Sequence, residues 1–178
     1  MPQDQPLPHI WLISDARNDA RLEQALARLP RGSGFIYRHY HLDGPQRWER
    51  FRQLRHIARA RQQRIILADS AQTAREWGAH GIYGAPRTLY PRRSDMLQLA
   101  TAHGMRELGE AQRFGADAVL LSPVFSTNSH PGEPSLGPAA FRLLARQSTV
   151  PVIALGGINA HRAATLRWPR WAAIDGLS

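Results

Sequence analysis

The run VPVIALGGIN, residues 150–159, ends its apolar stretch on two adjacent glycines, Gly156 and Gly157, just before a helical spacing that begins at Ala160. Glycines there let backbone N–H groups approach an oxyanion, and the start of the next helix adds a favourable dipole. The plainer reading is a tight turn. His103 closes the run LQLATAH, and a neutral imidazole at that point suits general acid or base work near neutral pH, although a lone histidine is often structural. Asp69 closes RIILAD; its carboxylate could ligate magnesium beside ligand phosphates or cap the following helix. Arg38, in FIYRHY, is a forked cation that could bind a phosphate or pair with Asp69 or Asp15. After AVLLSPVF comes a polar loop in which Thr127, Asn128, Ser129 and His130 could hold a ligand's polar edge or satisfy their own backbone as turn residues.

Composition removes several chemistries. The chain has 178 residues, no cysteine, and 23 basic side chains that are all arginine. Schiff-base aldolases, PLP enzymes and P-loop NTPases need a lysine amine; thiol catalysis, cysteine-ligated zinc and disulfides need sulfur. The histidines His39, His41, His56, His80 and His161 fall in a loop, on helices or at helix ends. No histidine pair has zincin spacing, so no zinc site is expected. The net charge of +9 hints at phosphorylated ligands and more weakly at RNA. Arginines 52, 55 and 59 share one face of a helical stretch and read as a solvated exterior rather than an RNA-binding stripe. The N-terminus lacks a basic signal-peptide region and a long apolar run, which predicts a cytoplasmic protein without a membrane span.

These residues need a scaffold that brings them together. Apolar runs at Ile10–Asp15, Phe35–Tyr40, Arg64–Asp69, Gly81–Ala85, Leu97–His103, Ala118–Val124, Val150–Gly156 and Ala172–Leu177 predict eight strands. Helical spacing lies between them at Ala20–Leu29, Gln46–Arg61, Ala71–Trp77, Met105–Phe114, Pro138–Gln147 and Ala160–Trp168, while Pro86–Met96 is too broken for a full helix. The alternation predicts one α/β domain over residues 1–178, a minimal (β/α)8 TIM barrel without an eighth helix, since Ser178 directly follows the last strand. An open doubly wound sheet is the alternative, without the Rossmann fingerprint. Barrel chemistry sits at the carboxyl ends of the strands, and the phosphate site commonly follows strands seven and eight, which adds Gly176 and Ser178 to the glycine pair. An uncovered groove beside strands eight and one, with Trp11, Trp171 and Ile174, is expected to be covered by the proline-rich N-terminus or by a partner subunit of a homo-oligomer.

The segment GADAVLLSPVFSTNSHPGEPSLG, residues 115–137, together with VPVIALGGIN, resembles the thiamine-phosphate synthase and thiazole tautomerase (TenI) family; LISD at 12–15 and TAH at 101–103 match more weakly. The resemblance implies a (β/α)8 barrel and a thiazole phosphate ligand. It places Gly156, Gly157 and Ser178 on the phosphate positions and Thr127 and Ser129 on the hydroxyl pair of the sixth loop. His103 falls on the tautomerase's proton-transfer histidine, which the synthases share. Arg38 and Asp69 match an arginine and a metal-side aspartate, but their family neighbours are replaced by Ile36, Tyr40 and Ala68. Arg87 stands where the second metal carboxylate belongs, and His130 where a lysine belongs.

The losses fall on the pyrimidine, pyrophosphate and magnesium side, although Arg87, Arg92 and Arg93 could replace lost positive charge. Three readings follow. A TenI-like thiazole phosphate tautomerase, moving a proton through His103 without a cofactor, is preferred. A divergent synthase condensing a pyrimidine pyrophosphate with thiazole phosphate would use magnesium at Asp69. A non-catalytic phosphate-ligand sensor would keep only the pocket.

Overall fold

The computed structural model describes residues 6–127, 132 and 134–177. Eight parallel strands close a barrel in sequence order: β1 (Ile10–Ile13), β2 (Gly34–Tyr37), β3 (Arg64–Leu67), β4 (Gly81–Gly84), β5 (Leu97–Ala102), β6 (Ala118–Leu121), β7 (Val152–Ala154) and β8 (Trp171–Ala173). The described helices are α1 (Leu22–Arg28), α2 (Gly44–Ala60), α3 (Ala71–Trp77), α4 (Met105–Arg113), α5 (Gly137–Ala145) and α6 (Ala160–Leu166). Only a 3-10 turn, Pro86–Leu89, lies between β4 and β5, where two prolines break the helical pattern. After β8 the described chain forms a further 3-10 turn, Asp175–Leu177. The predicted barrel is therefore present, with strands shorter than their apolar runs.

Side-chain parity explains the two cores. Ile13, Ile36 and Ile66 stand opposite one another across β1, β2 and β3 and fill the barrel with Trp11, Tyr83, Leu99, Leu120 and Ile153. Residues of opposite parity, such as Leu12, Phe35, Ile65 and Val119, face the helices and pack against Leu26, Phe51, Leu54, Leu108 and Phe141. Trp11 is paired in register with Gly34. A Cβ at Gly34 would lie 2.0 Å from Trp11 Cε3, so the missing side chain makes room for the indole.

That placement corrects the expected groove beside β8 and β1. Trp11 points into the barrel, where Leu7 packs on the same inner cluster and the indole N–H donates to the Pro8 carbonyl at 2.9 Å. Trp171 is buried with the outer core, and Ile174 is half-buried against the inner one. The N-terminal segment thus seals the barrel floor rather than an outer groove.

Local signals set the helix ends. Asp43 accepts from Gln46 N–H at 2.9 Å with Pro45 in the first turn of α2, Ser70 accepts from Thr73 N–H at 3.0 Å to start α3, and Gly78 ends α3 at φ +70°. The predicted first helix begins instead with a 3-10 turn, Ala16–Arg21, because Asp15 and Asn18 form a reciprocal cap there. Asn18 is fully buried, and its amide donates to the carbonyls of Ile13 and Ile174, tying the end of β1 to the chain leaving β8.

Candidate functional site

The turn after β7 is wedged between its neighbours. Gly156 and Gly157 have φ of +103° and +61°, conformations that favour glycine. A Cβ at Gly156 would sit 2.6 Å from Pro123 Cα, and one at Gly157 would sit 2.4 Å from the Ser126 carbonyl. On the other side, a Cβ at Gly176 would meet the Ile158 carbonyl at 2.2 Å. The three glycines therefore let the loops after β6, β7 and β8 close on one another. Val124 and Phe125 N–H groups donate to the carbonyls of Leu155 and Gly156, extending the β6–β7 pairing into this turn. Arg162 from α6 donates to the Gly157 carbonyl at 2.6 Å and lies over the Phe125 ring at 5.1 Å, which brings a cation beside the glycines. Thr127 is half-buried at the edge of this loop, whereas Ser129, His130 and Ser178 lie outside the described residues.

The β1–β3 side of the mouth is built from arginine and carboxylate pairs. Arg38 donates to Asp15 at 2.8 Å and, through its backbone N–H, to Ser14 Oγ at 2.8 Å. Of the two partners open to Arg38 in the sequence, the structure selects Asp15. Burial alone would raise the Asp15 carboxyl, but hydrogen bonds from Arg17 and the nearby Arg38 charge hold it below the ordinary range.

Asp69 is claimed by Arg47. This arginine, one turn into α2, donates to Asp69 Oδ2 at 2.5 Å and to the carbonyls of Ala68 and Arg38 at 2.9 Å each. Its guanidinium also lies 5.7–5.8 Å from the ring centres of Tyr37, Tyr40 and Trp77. Asp69 Oδ1 accepts from Ser70 N–H at 2.7 Å, while Ser70 itself caps α3. Burial opposes ionisation of Asp69, yet bonds from Ser70, Arg47 and Thr73 outweigh it and keep the carboxyl low.

This donor set does not fit a magnesium ion. Both oxygens of the one candidate ligand already accept from the protein, one of them from a cation. Among the described residues no group of three or more His, Cys, Asp or Glu side chains is assembled. Arg87, at the position of the second carboxylate, pairs with Glu110 at 3.0 Å.

His103 follows β5 and is largely exposed. Its backbone N–H and Nδ1 both engage Glu107 Oε2, at 2.6 and 2.9 Å. A carboxylate on Nδ1 favours the tautomer that leaves Nε2 with its lone pair. The sequence reading missed Glu107; the signal that could have found it is a carboxylate four residues beyond His103, in the first turn of α4.

His39 was not legible as anything but a loop residue. It is buried, at φ +40°, and stacks on Tyr37 at 4.7 Å. Nδ1 meets Ser14 Oγ and Nε2 meets Asp19 Oδ1, each at 2.8 Å. Asp19 also accepts from Arg50 Nε at 2.7 Å, and Arg50 pairs with Glu23. Burial pushes the His39 imidazole below its usual value despite the Asp19 carboxylate. A neutral ring satisfies the whole chain: Nε2–H donates to Asp19, and Nδ1 accepts from the Ser14 hydroxyl, which in turn accepts from Arg38 N–H.

The sequence comparisons agree with this architecture. A thiamine-phosphate synthase of Chlorobium phaeobacteroides is 25% identical over 160 residues, covering 85% of this chain and 78% of its own length. One from Chloroflexus aurantiacus is 29% identical over 148 residues, covering 80% of this chain and 67% of its own. The solved structure of a thiamine phosphate pyrophosphorylase from Pyrococcus furiosus superposes with a TM-score of 0.74 over 93% of this chain and 84% of its own, at 21% identity, a likeness of fold. The family profile described as thiamine monophosphate synthase matches residues 10–174, nearly the whole barrel, and the chain belongs to that family, TMP-TENI.

Proposed function

We propose that the protein is a cytoplasmic catalyst of proton transfer on a thiazole phosphate, tautomerase-like, and that it works without a metal. The observation that carries this reading is the state of Asp69. Its two oxygens are held by Arg47 and Ser70, and the position of a second carboxylate is Arg87. A condensation that must stabilise a departing pyrophosphate would lose its metal-side ligands here. Proton transfer needs less. In this reading the ligand phosphate rests against backbone N–H groups around Gly156, Gly157 and Gly176, with Ser178 and the sixth-loop residues Thr127, Ser129 and His130 as further contacts, and Arg162 supplying positive charge. His103 Nε2 removes a proton from one ring position and returns it at another, so the product is an isomer with no group gained or lost. Glu107 holds Nδ1–H and supports the transient imidazolium.

The second reading, a divergent synthase, is favoured by the names of both relatives above. One assay separates the two. The chain is incubated with thiazole phosphate carboxylate, with and without a pyrimidine pyrophosphate and magnesium, and the products are identified. Tautomer formed without magnesium, and lowered about 10²- to 10⁴-fold in the His103→Gln variant, supports the proposal. Magnesium-dependent thiamine phosphate formation on the order of 1 s⁻¹ or faster overturns it in favour of the synthase. Binding without either product would leave a sensor.

A further inference from the structure

On the outer face of α2, Arg52, Arg55 and Arg59 follow one another at helical spacing, and the structure shows that two of them are not simply solvated. Arg55 Nη1 donates to the Trp77 carbonyl at 2.6 Å, and Arg59 Nη2 donates to the Gly78 carbonyl at 3.2 Å, both at the C-terminal end of α3. A Cβ at Gly78 would lie 2.8 Å from Arg59 Nη2 and 3.2 Å from Arg55 Nη1, so the two guanidiniums crowd against the same point. With Arg52, Gln53 and His56 they line an open cleft of about 390 Å³. Among the described residues no carboxylate pairs with Arg55 or Arg59; the nearby pair, Arg52 with Glu49 at 2.9 Å, leaves them uncompensated. Burial and the charges of Arg59 and Arg52 hold the Arg55 guanidinium below its ordinary value. A helix C-terminus accounts for one arginine bonded to its last carbonyls. It does not account for two neighbouring arginines, neither paired with an acid among the described residues, on one cleft with a third.

We propose that this open cleft on the outer face of α2, beside the C-terminal end of α3, is a second anion site that takes an oligophosphate chain. Each guanidinium has five N–H donors and uses one on a backbone carbonyl, so both are fixed in place with donors left over for phosphate oxygens. From Arg52 to Arg59 is seven residues, a rise of about 10 Å, a span suited to a few linked phosphates. Nucleic acid fits less well. The face of Trp48, which could stack a base, is occupied by Arg55 at 5.5 Å.

The test locates the ligand as well as measuring it. The full chain is titrated with inorganic tripolyphosphate in a calorimeter, and accessible arginines are labelled with a dicarbonyl reagent with and without the anion, followed by peptide mass spectrometry. The expected results are protection of Arg55 and Arg59 and at least a tenfold loss of affinity in the R55Q/R59Q double variant. Should that variant fail to fold, R52Q removes an exposed side chain whose hydrogen bonds go to Glu49, and it must weaken binding at least threefold. Unprotected arginines, or variant affinities within twofold of the parent, overturn the proposal. A short oligouridylate that displaces tripolyphosphate from these arginines and binds more tightly would also overturn it, in favour of RNA.

Discussion

Replacing His39 tests whether the β1–β2 side of the mouth is held by the hydrogen-bonded chain that the structure shows. In His39→Leu the Ser14 hydroxyl, fully buried, loses the partner that accepts from it, and Asp19 loses one of its donors. At roughly 1 kcal/mol for each net bond and about 1–3 kcal/mol for a buried orphan, the loss should be about 2–4 kcal/mol. Leucine at φ +40° adds about 1 kcal/mol of backbone strain. For a chain of this size each kcal/mol moves the melting midpoint by about 2–4 °C, so the drop should be roughly 6–20 °C. His39→Asn tolerates the positive φ and can keep one bond, so it should lose less, about 1–2 kcal/mol.

The same variant carries a pH signature. His39 is held below 6.5 when folded, so the unfolded chain binds more protons as the medium acidifies. Its stabilising contribution is complete above about pH 6.5 and is lost as pH falls through that value towards the folded pKa. His80, also held low by burial, titrates in the same direction in parent and variant alike. The quantity to read is therefore the difference between their midpoints from pH 7.5 to 5.5, above the range where carboxylates such as Asp19 titrate. That difference should shrink with acid. A His39→Leu loss below about 0.5 kcal/mol, or a difference independent of pH, would refute the hydrogen-bonded arrangement of Ser14, His39 and Asp19.

Three further substitutions probe other contacts of the barrel. Arg47→Gln removes three hydrogen-bond partners and its stacking on three rings, and should cost about 2–4 kcal/mol in urea unfolding; a cost under about 1 kcal/mol would mean that Arg47 does not hold Asp69 in solution. Gly157→Val places a side chain at φ +61° against the Ser126 carbonyl, so it should destabilise by roughly 1–3 kcal/mol and abolish thiazole phosphate binding; unchanged affinity in calorimetry removes the phosphate role of this turn. Gly34→Ala pushes a methyl group into the Trp11 ring and should cost about 1–3 kcal/mol through overpacking, whereas a stable variant with unaltered tryptophan fluorescence would show that the floor is loosely packed.

Much of the fold was legible because each apolar run is read the same way by local preference and by parity. Ile13, Ile36 and Ile66 alternate with residues that face helices, and a closed parallel barrel covers both faces of such runs. What was not legible came from contacts remote in sequence. Trp11 reads as a surface liability because nothing local shows that Gly34, across the register, leaves space for it. Strand eight reads as longer because Ile174–Leu177 continues the apolar pattern, yet Gly176 is needed against Ile158 and turns the chain over the mouth. Arg47 lies hidden in a helix whose exposed arginines give no sign of which one reaches Asp69.

The glycines of the β7 turn show why a motif alone underdetermines chemistry. Gly156 and Gly157 are each required by close backbone approach from the β6 loop, whether or not a phosphate binds, so their presence cannot separate a ligand cradle from a packing joint. The charge around them can. At the mouth, Asp15 and Asp69 are each paired with an arginine, and Arg162 stands beside the glycines with its guanidinium bonded to a carbonyl and, among the described residues, to no acid. A cation that faces a neutral turn favours an anion beside it, since charge acts at short range in a partly dry site. Exchanging Arg162 for glutamine should therefore weaken thiazole phosphate binding in calorimetry while leaving the melting midpoint in place, because among the described residues the guanidinium it removes covers the Phe125 ring and one exposed carbonyl. Affinity equal to the parent's would mean that this cation serves the packing of the turn and not a ligand.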